Sequence, residues 1–190
     1  IAPFVVGYNA NLKPYPYDLE KAKTLVKDAK AEGTDLSLVW LAGRFPKVAE
    51  LVEYLSAEWA KIGLKVKPVS RDAAGYREAI YELDPAKRND LLIINSGNEL
   101  GDSGQSLASY GIKAGRLSYF TDERAEKLYK DSSVANFEAR AKMMGDIWQI
   151  IDDEQAIISL FHQPWLNGVT KRVKWDPRPD AIIQFKEMSL

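Results

Sequence analysis

The chain has no cysteine and a single histidine, His162. The first absence removes disulfides, thiol nucleophiles and thiolate metal centres together. The second removes the histidine clusters on which most zinc chemistry rests, and no run of acids has the spacing of a calcium loop. An excess of charge is missing as well. Lys and Arg number 26 against 27 Asp and Glu, a net charge of −1, with both signs interspersed. The basic footprint of a nucleic-acid binder is therefore absent. No apolar run approaches the roughly 18 to 20 residues of a membrane span, and no cleavable targeting segment opens the chain. It starts Ile1-Ala2-Pro3, as expected of a processed or trimmed product. Neither GxGxxG nor a Gly-Lys-Ser/Thr ending is found, which excludes the common phosphate loops and leaves no cofactor to expect. Internal repeats, low-complexity tracts and heptads are missing too.

What remains is the composition of a folded α/β protein: 190 residues, 46% hydrophobic and 28% charged, enough to bury a core as one domain over residues 1–190. Asp18 is placed to cap a helix whose apolar face runs through Leu19, Ala22, Leu25, Val26 and Ala29 and stops at Gly33. Residues 36–42 form an apolar run of strand length. A second helix carries Pro46 in its first turn, repeats Val48, Leu51, Val52, Leu55, Trp59 and Ile62, and ends at Gly63. Leu64, Val66 and Pro68 then alternate with lysines, so strand, helix and strand make a parallel crossover. Asp72 caps a short helix through Leu83, and residues 91–94 supply another buried strand. Residues 95–118, with five glycines, read as a long loop with one helical turn near Leu107 to Tyr110. Thr121 is the expected cap of a further helix. Phe137, Ala141, Met144, Trp148 and Ile151 make the stripe of a long amphipathic one, and Ile157 to Phe161 and Trp165 to Thr170 read as two strands.

Gly101-Asp102-Ser103-Gly104 reproduces the tetrapeptide around the nucleophile of trypsin-like proteases. The chemistry does not follow. A serine nucleophile needs a base in hydrogen-bond reach, and His162 lies 59 residues after Ser103, in an apolar pattern, where those proteases place their base well before the nucleophile. Their antiparallel barrels also differ from this alternation of helix and strand. A turn, with Gly supplying positive φ, accounts for the four residues. Paired acids such as Asp152-Asp153-Glu154 sit at the end of a long helix, where solvation explains them. No catalytic residue is expected.

Four stretches carry a resemblance. They are Leu12-Lys13-Pro14-Tyr15-Pro16-Tyr17-Asp18 leading into Leu19-Glu20-Lys21-Ala22-Lys23; Gly43-Arg44-Phe45-Pro46-Lys47 with residues 55–66; Ile158-Ser159-Leu160-Phe161-His162-Gln163; and Val169-Thr170-Lys171-Arg172-Val173-Lys174. In this order they resemble the C-terminal lobe of the family 5 extracellular solute-binding proteins, the dipeptide, oligopeptide and nickel receptors of bacterial ABC importers. The resemblance implies one α/β lobe of a type II periplasmic-binding-protein-like fold, a mixed sheet flanked by helices. Its partners would be a missing N-terminal lobe, ABC permease subunits and a small solute, most readily a peptide. The tail of residues 175–190 would return toward the missing lobe. A periplasmic or extracellular location follows, with a membrane anchor through the missing N-terminus.

The resemblance also nominates residues. In peptide-binding relatives the loop after the third strand carries an Asp that pairs with the peptide's amine. When Gly101-Asp102 is matched to the family's Gly-Asp, Asn98 and Glu99 fall at or beside that position. Here the chain departs from the pattern, with Asn98-Glu99 where Asp is expected and Ser103-Gly104 in place of Pro-Asp. Glu99 and Asp102 thus read either as solute-facing acids or as solvated loop acids. From their position alone, Trp40 and Arg44, at and after the end of the first strand, lie where α/β sheets meet ligands. Trp40 otherwise belongs to the core, and Arg44 otherwise pairs with a surface acid. The expected function is capture of a peptide-like solute by hinge closure. The rivals are an oligosaccharide or nickel-complex receptor and, from another class, a hydrolase using Ser103 or the paired acids.

Overall fold

The computed structural model describes every residue except Leu83 and Asn98. The end of the short third helix, expected to reach Leu83, therefore falls outside the described residues. The chain divides into two compact units, residues 14–95 and residues 1–13 with 96–190, where a single domain is the expectation from sequence.

The 14–95 unit is built as the periodicity predicts. Helix α1 spans Leu19–Asp28, with the Asp18 carboxylate accepting from the Lys21 amide at 2.9 Å. Strand β1 (Asp35–Leu41), helix α2 (Val48–Ala60), strand β2 (Lys65–Arg71), helix α3 (Ala73–Ile80) and strand β3 (Leu91–Leu92) follow. Pro46 precedes α2 rather than lying in its first turn, and Lys47 takes a left-handed backbone at its start. The Asp72 carboxylate caps α3 through the Gly75 amide at 2.8 Å. The three strands are parallel in the order β2-β1-β3. Pro68 lacks an amide donor and is accommodated because β2 has only β1 beside it in this sheet. Leu38 and Val39 of β1 are buried, as are Val48 and Val52 of α2, and these four make the apolar centre of the unit.

Strand β3 is shorter than the apolar run suggests, and side-chain chemistry supplements its ladder. The Asp90 carboxylate accepts from the Ser37 amide at 2.7 Å and the Ser37 hydroxyl at 2.8 Å, while that hydroxyl accepts from the Asp90 amide at 3.0 Å. The bonds from the Ser37 amide and hydroxyl hold the Asp90 carboxyl below its usual range.

The second unit is helical. Helix α4 (Gly104–Ser106) runs into a π-helical stretch, Leu107–Gly111, so the expected single turn is a longer helical segment. Helix α5 spans Glu123–Ser132 and α6 Phe137–Asp153. Asp122 caps α5, not Thr121, because its carboxylate reaches the amides of Arg124 and Ala125 at 2.8 and 3.2 Å. Asn136 caps α6 through Ala139 at 3.0 Å. The core gathers Leu107, Ala125, Met144, Ile147, Trp148 and Ile151. Ile147 lies on this face though the predicted stripe passes it over, whereas Phe137, which opens that stripe, is 68% exposed. The reason is position: Phe137 is the first residue of α6.

Beyond α6 the sequence reading needs a larger correction. Residues 157–161 and 165–170 form no strand, and nothing among the described residues pairs with them as a sheet. A strand needs a ladder partner as well as a pattern. Ile158, Phe161, Trp165, Leu166 and Val169 are exposed, as are Ile182, Ile183 and Phe185. The end of the tail is tied by paired Lys174–Ser189 backbone bonds of 2.8 and 3.1 Å and by Arg178 bridging Asp180 and Glu187.

Two outcomes follow. Ile147→Ala is expected to cost about 2–5 kcal/mol, as a truncated core side chain does. Phe137→Ala on the same helix should stay within about 0.5 kcal/mol. Urea midpoints at constant slope would decide, and equal losses would contradict this account of the core. Asp122 should titrate at about 2, held down first by the Arg124 side-chain bond and further by the Ala125 and Arg124 amides. Its folded pKa lies below the unfolded one, so its stabilising contribution is present above about pH 4 and is lost as pH falls through the folded value. An NMR titration of Asp122 tests this: Arg124→Gln should raise the midpoint toward 3.8, and a wild-type midpoint already there would contradict it.

Candidate functional site

Residues 96–104 form the loop that enters the second unit, and three glycines in it leave its path to specific anchors. At its start the Tyr110 hydroxyl donates to the Ser96 hydroxyl at 3.3 Å, and the Tyr110 ring tilts against Trp148 with centroids 6.2 Å apart. At its end the loop makes an isolated parallel bridge with Val6: the Val6 amide donates to the Gly101 carbonyl at 2.9 Å and the Ser103 amide to the Val6 carbonyl at 3.1 Å. Gly101 turns the chain at φ +64°.

Asp102 is held from two sides. Its Oδ1 accepts from the Gly104 amide at 2.7 Å and from Arg140 Nη2 at 2.9 Å. Arg140, from the first turns of α6, also directs Nη1 at Met144 Sδ at 3.2 Å. Next to Asp102 in sequence, Ser103 is fully buried, and its hydroxyl meets no hydrogen-bond partner among the described residues. Gly7 makes room for it: a Cβ there would collide with Ser103 Oγ and Met144 Cβ. A sealed hydroxyl with no base in reach has no means of nucleophilic attack. His162, the one histidine, lies in the exposed segment after α6.

Glu99 has the opposite placement. It is exposed, and its carboxylate folds back over the bare Cα of Gly97, where any side chain would obstruct it. No cation among the described residues pairs with it. Leu100 beside it is 74% exposed. Asn98 lies outside the described residues.

The other two nominated residues belong to the 14–95 unit. Trp40, the residue before the last of β1, is half-buried, with its indole N–H buried and unpartnered among the described residues. Arg44 is exposed in the turn after β1. Its charge acts on Tyr76, whose hydroxyl donates to the Ile93 carbonyl at 2.6 Å. Burial raises the Tyr76 pKa, and Arg44 opposes the shift. Two open hollows mark this unit, one beside Lys23, Lys27 and Lys61 and one beside Ala73, Arg77 and Tyr81; neither is lined by Trp40 or Arg44.

The structure thus joins Asp102 to a residue that sequence reasoning missed. Arg140 sits on the α6 face that also carries Met144, four residues on, and a guanidinium on a core-facing stripe signals a buried or half-buried acid. Tyr76 gave no such signal. Among the described residues no cluster of three acids or histidines is arranged to hold a metal ion. No helix among them is long and apolar enough to cross a membrane.

Comparison with known proteins adds lineage to this geometry. The chain is 27% identical over 185 residues to the heme-binding protein A of Haemophilus influenzae, a match covering 92% of the chain and 33% of that protein. It is 27% identical over 176 residues to a dipeptide-binding protein of Pseudomonas aeruginosa, covering 88% and 32%. The solved structure of HbpA2 from Haemophilus parasuis superposes with a TM-score of 0.78 at 25% identity, over 98% of the chain and 38% of that structure. The chain therefore spans about a third of the length of these relatives. Its α/β fold is that of type II periplasmic binding proteins. Residues 1–116 match the sequence model described as bacterial extracellular solute-binding proteins, family 5 middle. The chain belongs to the family 5 bacterial extracellular solute-binding proteins.

Proposed function

We propose that the chain is the C-terminal lobe of an ABC-importer receptor, which captures a peptide or similar small solute and delivers it to a membrane permease. Both units belong to that lobe in this reading, and the remainder of the receptor supplies the other wall of the cleft and any membrane anchor. The observation that carries it is Glu99, an exposed carboxylate without a cation partner among the described residues, on a loop whose far end is pinned. Such a group suits the amine of a peptide, because a charge-assisted hydrogen bond gains strength when closure excludes water. Among the solutes named for the relatives, heme presents anionic propionates, which a glutamate repels. A peptide presents the complementary cation at one end. Within the 14–95 unit, Arg44 as a cation and Trp40 as apolar surface stay candidate solute contacts of their own. Asn98 stands next to Glu99 in sequence and is carried with it.

Calorimetry of the intact receptor with trialanine and N-acetyl-trialanine tests the reading. Losing one charge-assisted bond is expected to weaken trialanine binding by about 10- to 100-fold in Glu99→Gln. The acetylated peptide should bind wild type and variant alike. Equal affinity of wild type and variant for trialanine would remove Glu99 from the site.

Hydrolysis is tested separately. Ser103→Ala removes a buried hydroxyl that makes no bond among the described residues, so stability should change by less than about 1 kcal/mol or rise. Any peptide or ester hydrolysis that disappears with this hydroxyl would sink the binding reading in favour of an enzyme.

A further inference from the structure

We propose that Arg140 is a positioning residue: through Asp102 it orders the 97–104 loop and so sets where Glu99 meets a solute. The proposal rests on the reading of Glu99 just given, and it deepens that reading with a residue outside the loop.

This loop is held at few points. It carries glycines at 97, 101 and 104, and its outer part, with Glu99 and Leu100, is exposed. A segment of this kind keeps one conformation only if its anchors are stronger than its conformational entropy. At Ser96 the anchor is a neutral 3.3 Å bond from Tyr110. At 101–103 it is a pair of backbone bonds to Val6. The charged anchor is Asp102, and one of its oxygens serves two donors, the Gly104 amide and Arg140 Nη2. Both side chains of the ion pair are about 30% exposed, so the pair is more shielded than a surface pair and still avoids the full cost of burial.

Packing around this pair allows little else. A Cβ on Gly104 would lie 2.8 Å from Arg140 Nη2, 2.8 Å from Asp102 Oδ1 and 3.0 Å from Met144 Cε. Arg140 is itself fixed, because α6 is seated in the core by Met144, Ile147, Trp148 and Ile151. The chain of contacts therefore runs from the core through α6 and Arg140 to Asp102, three residues from Glu99.

The same pair also sorts the two loop acids. Arg140 neutralises Asp102, whereas no cation among the described residues pairs with Glu99. A cationic solute group is then drawn to Glu99 alone, which makes Arg140 a determinant of which acid is used.

Three variants of the intact receptor test this, Arg140→Gln, Arg140→Lys and the swap Asp102→Arg with Arg140→Asp. Amide hydrogen exchange over 97–104 is read beside trialanine binding. In Arg140→Gln, exchange at 101–104 should accelerate and trialanine affinity fall, each by about tenfold. Exchange at Ile147 and Trp148 should not change, which separates a loosened loop from a failing fold. Arg140→Lys keeps the charge and should recover most of both losses, and the swap should recover part of them. Unchanged loop exchange in Arg140→Gln overturns the proposal. So does fast exchange with wild-type trialanine affinity, provided Glu99→Gln binds weakly. If Glu99→Gln binds like wild type while Arg140→Gln loosens the loop, the Glu99 reading fails and the ordering role of Arg140 stands.

Discussion

Burial of one face of α6 is the constraint on which the helical unit depends. Met144, Ile147, Trp148 and Ile151 close the core together with Leu107 and Ala125. Met144, Ile147, Ile151 and Leu107 each contribute about 1.5–3 kcal/mol when fully removed from water. That face does more than stabilise. It fixes the rotation of the helix, and the rotation presents Arg140 to Asp102. Met144 takes part on both sides, packing in the core and against Gly7, Gly104 and Arg140. The N-terminal residues are drawn into the same arrangement, since Gly7 admits Ser103 and Val6 pairs with the loop.

Most of this architecture was legible in sequence where the pattern is local. The caps at Asp18 and Asp72 and the strand-helix-strand unit follow from spacing and end signals. What was illegible needed information from elsewhere in the chain. The apolar runs at 157–161 and 165–170 have strand composition, but a ladder requires a partner that the described residues do not supply. Phe137 fits the helical period yet stands at the end of α6, where periodicity cannot report exposure. Asp122 displaced Thr121 as a cap because the helix begins one residue later than the pattern suggests.

The candidate site was legible in outline only. Glu99 and Asp102 are neighbours in sequence, and nothing in their spacing separates an exposed acid from one neutralised by a residue 38 positions away. The tetrapeptide around Ser103 shows the same limit from the other side. As a string it resembles a catalytic motif, while in the fold its serine is buried against Gly7. Family membership and the type II fold agree with the resemblance carried by the four sequence stretches. The choice of solute rests on charge: an exposed glutamate with no cation partner among the described residues favours a cationic end group.

The most direct test of that choice is a crystal structure of the intact receptor with trialanine bound. The account predicts the peptide amine on the Glu99 carboxylate at about 2.7–2.9 Å, the range of a charge-assisted bond, with Asp102 still held by Arg140. An amine met by another group, with Glu99 left in solvent, would contradict it.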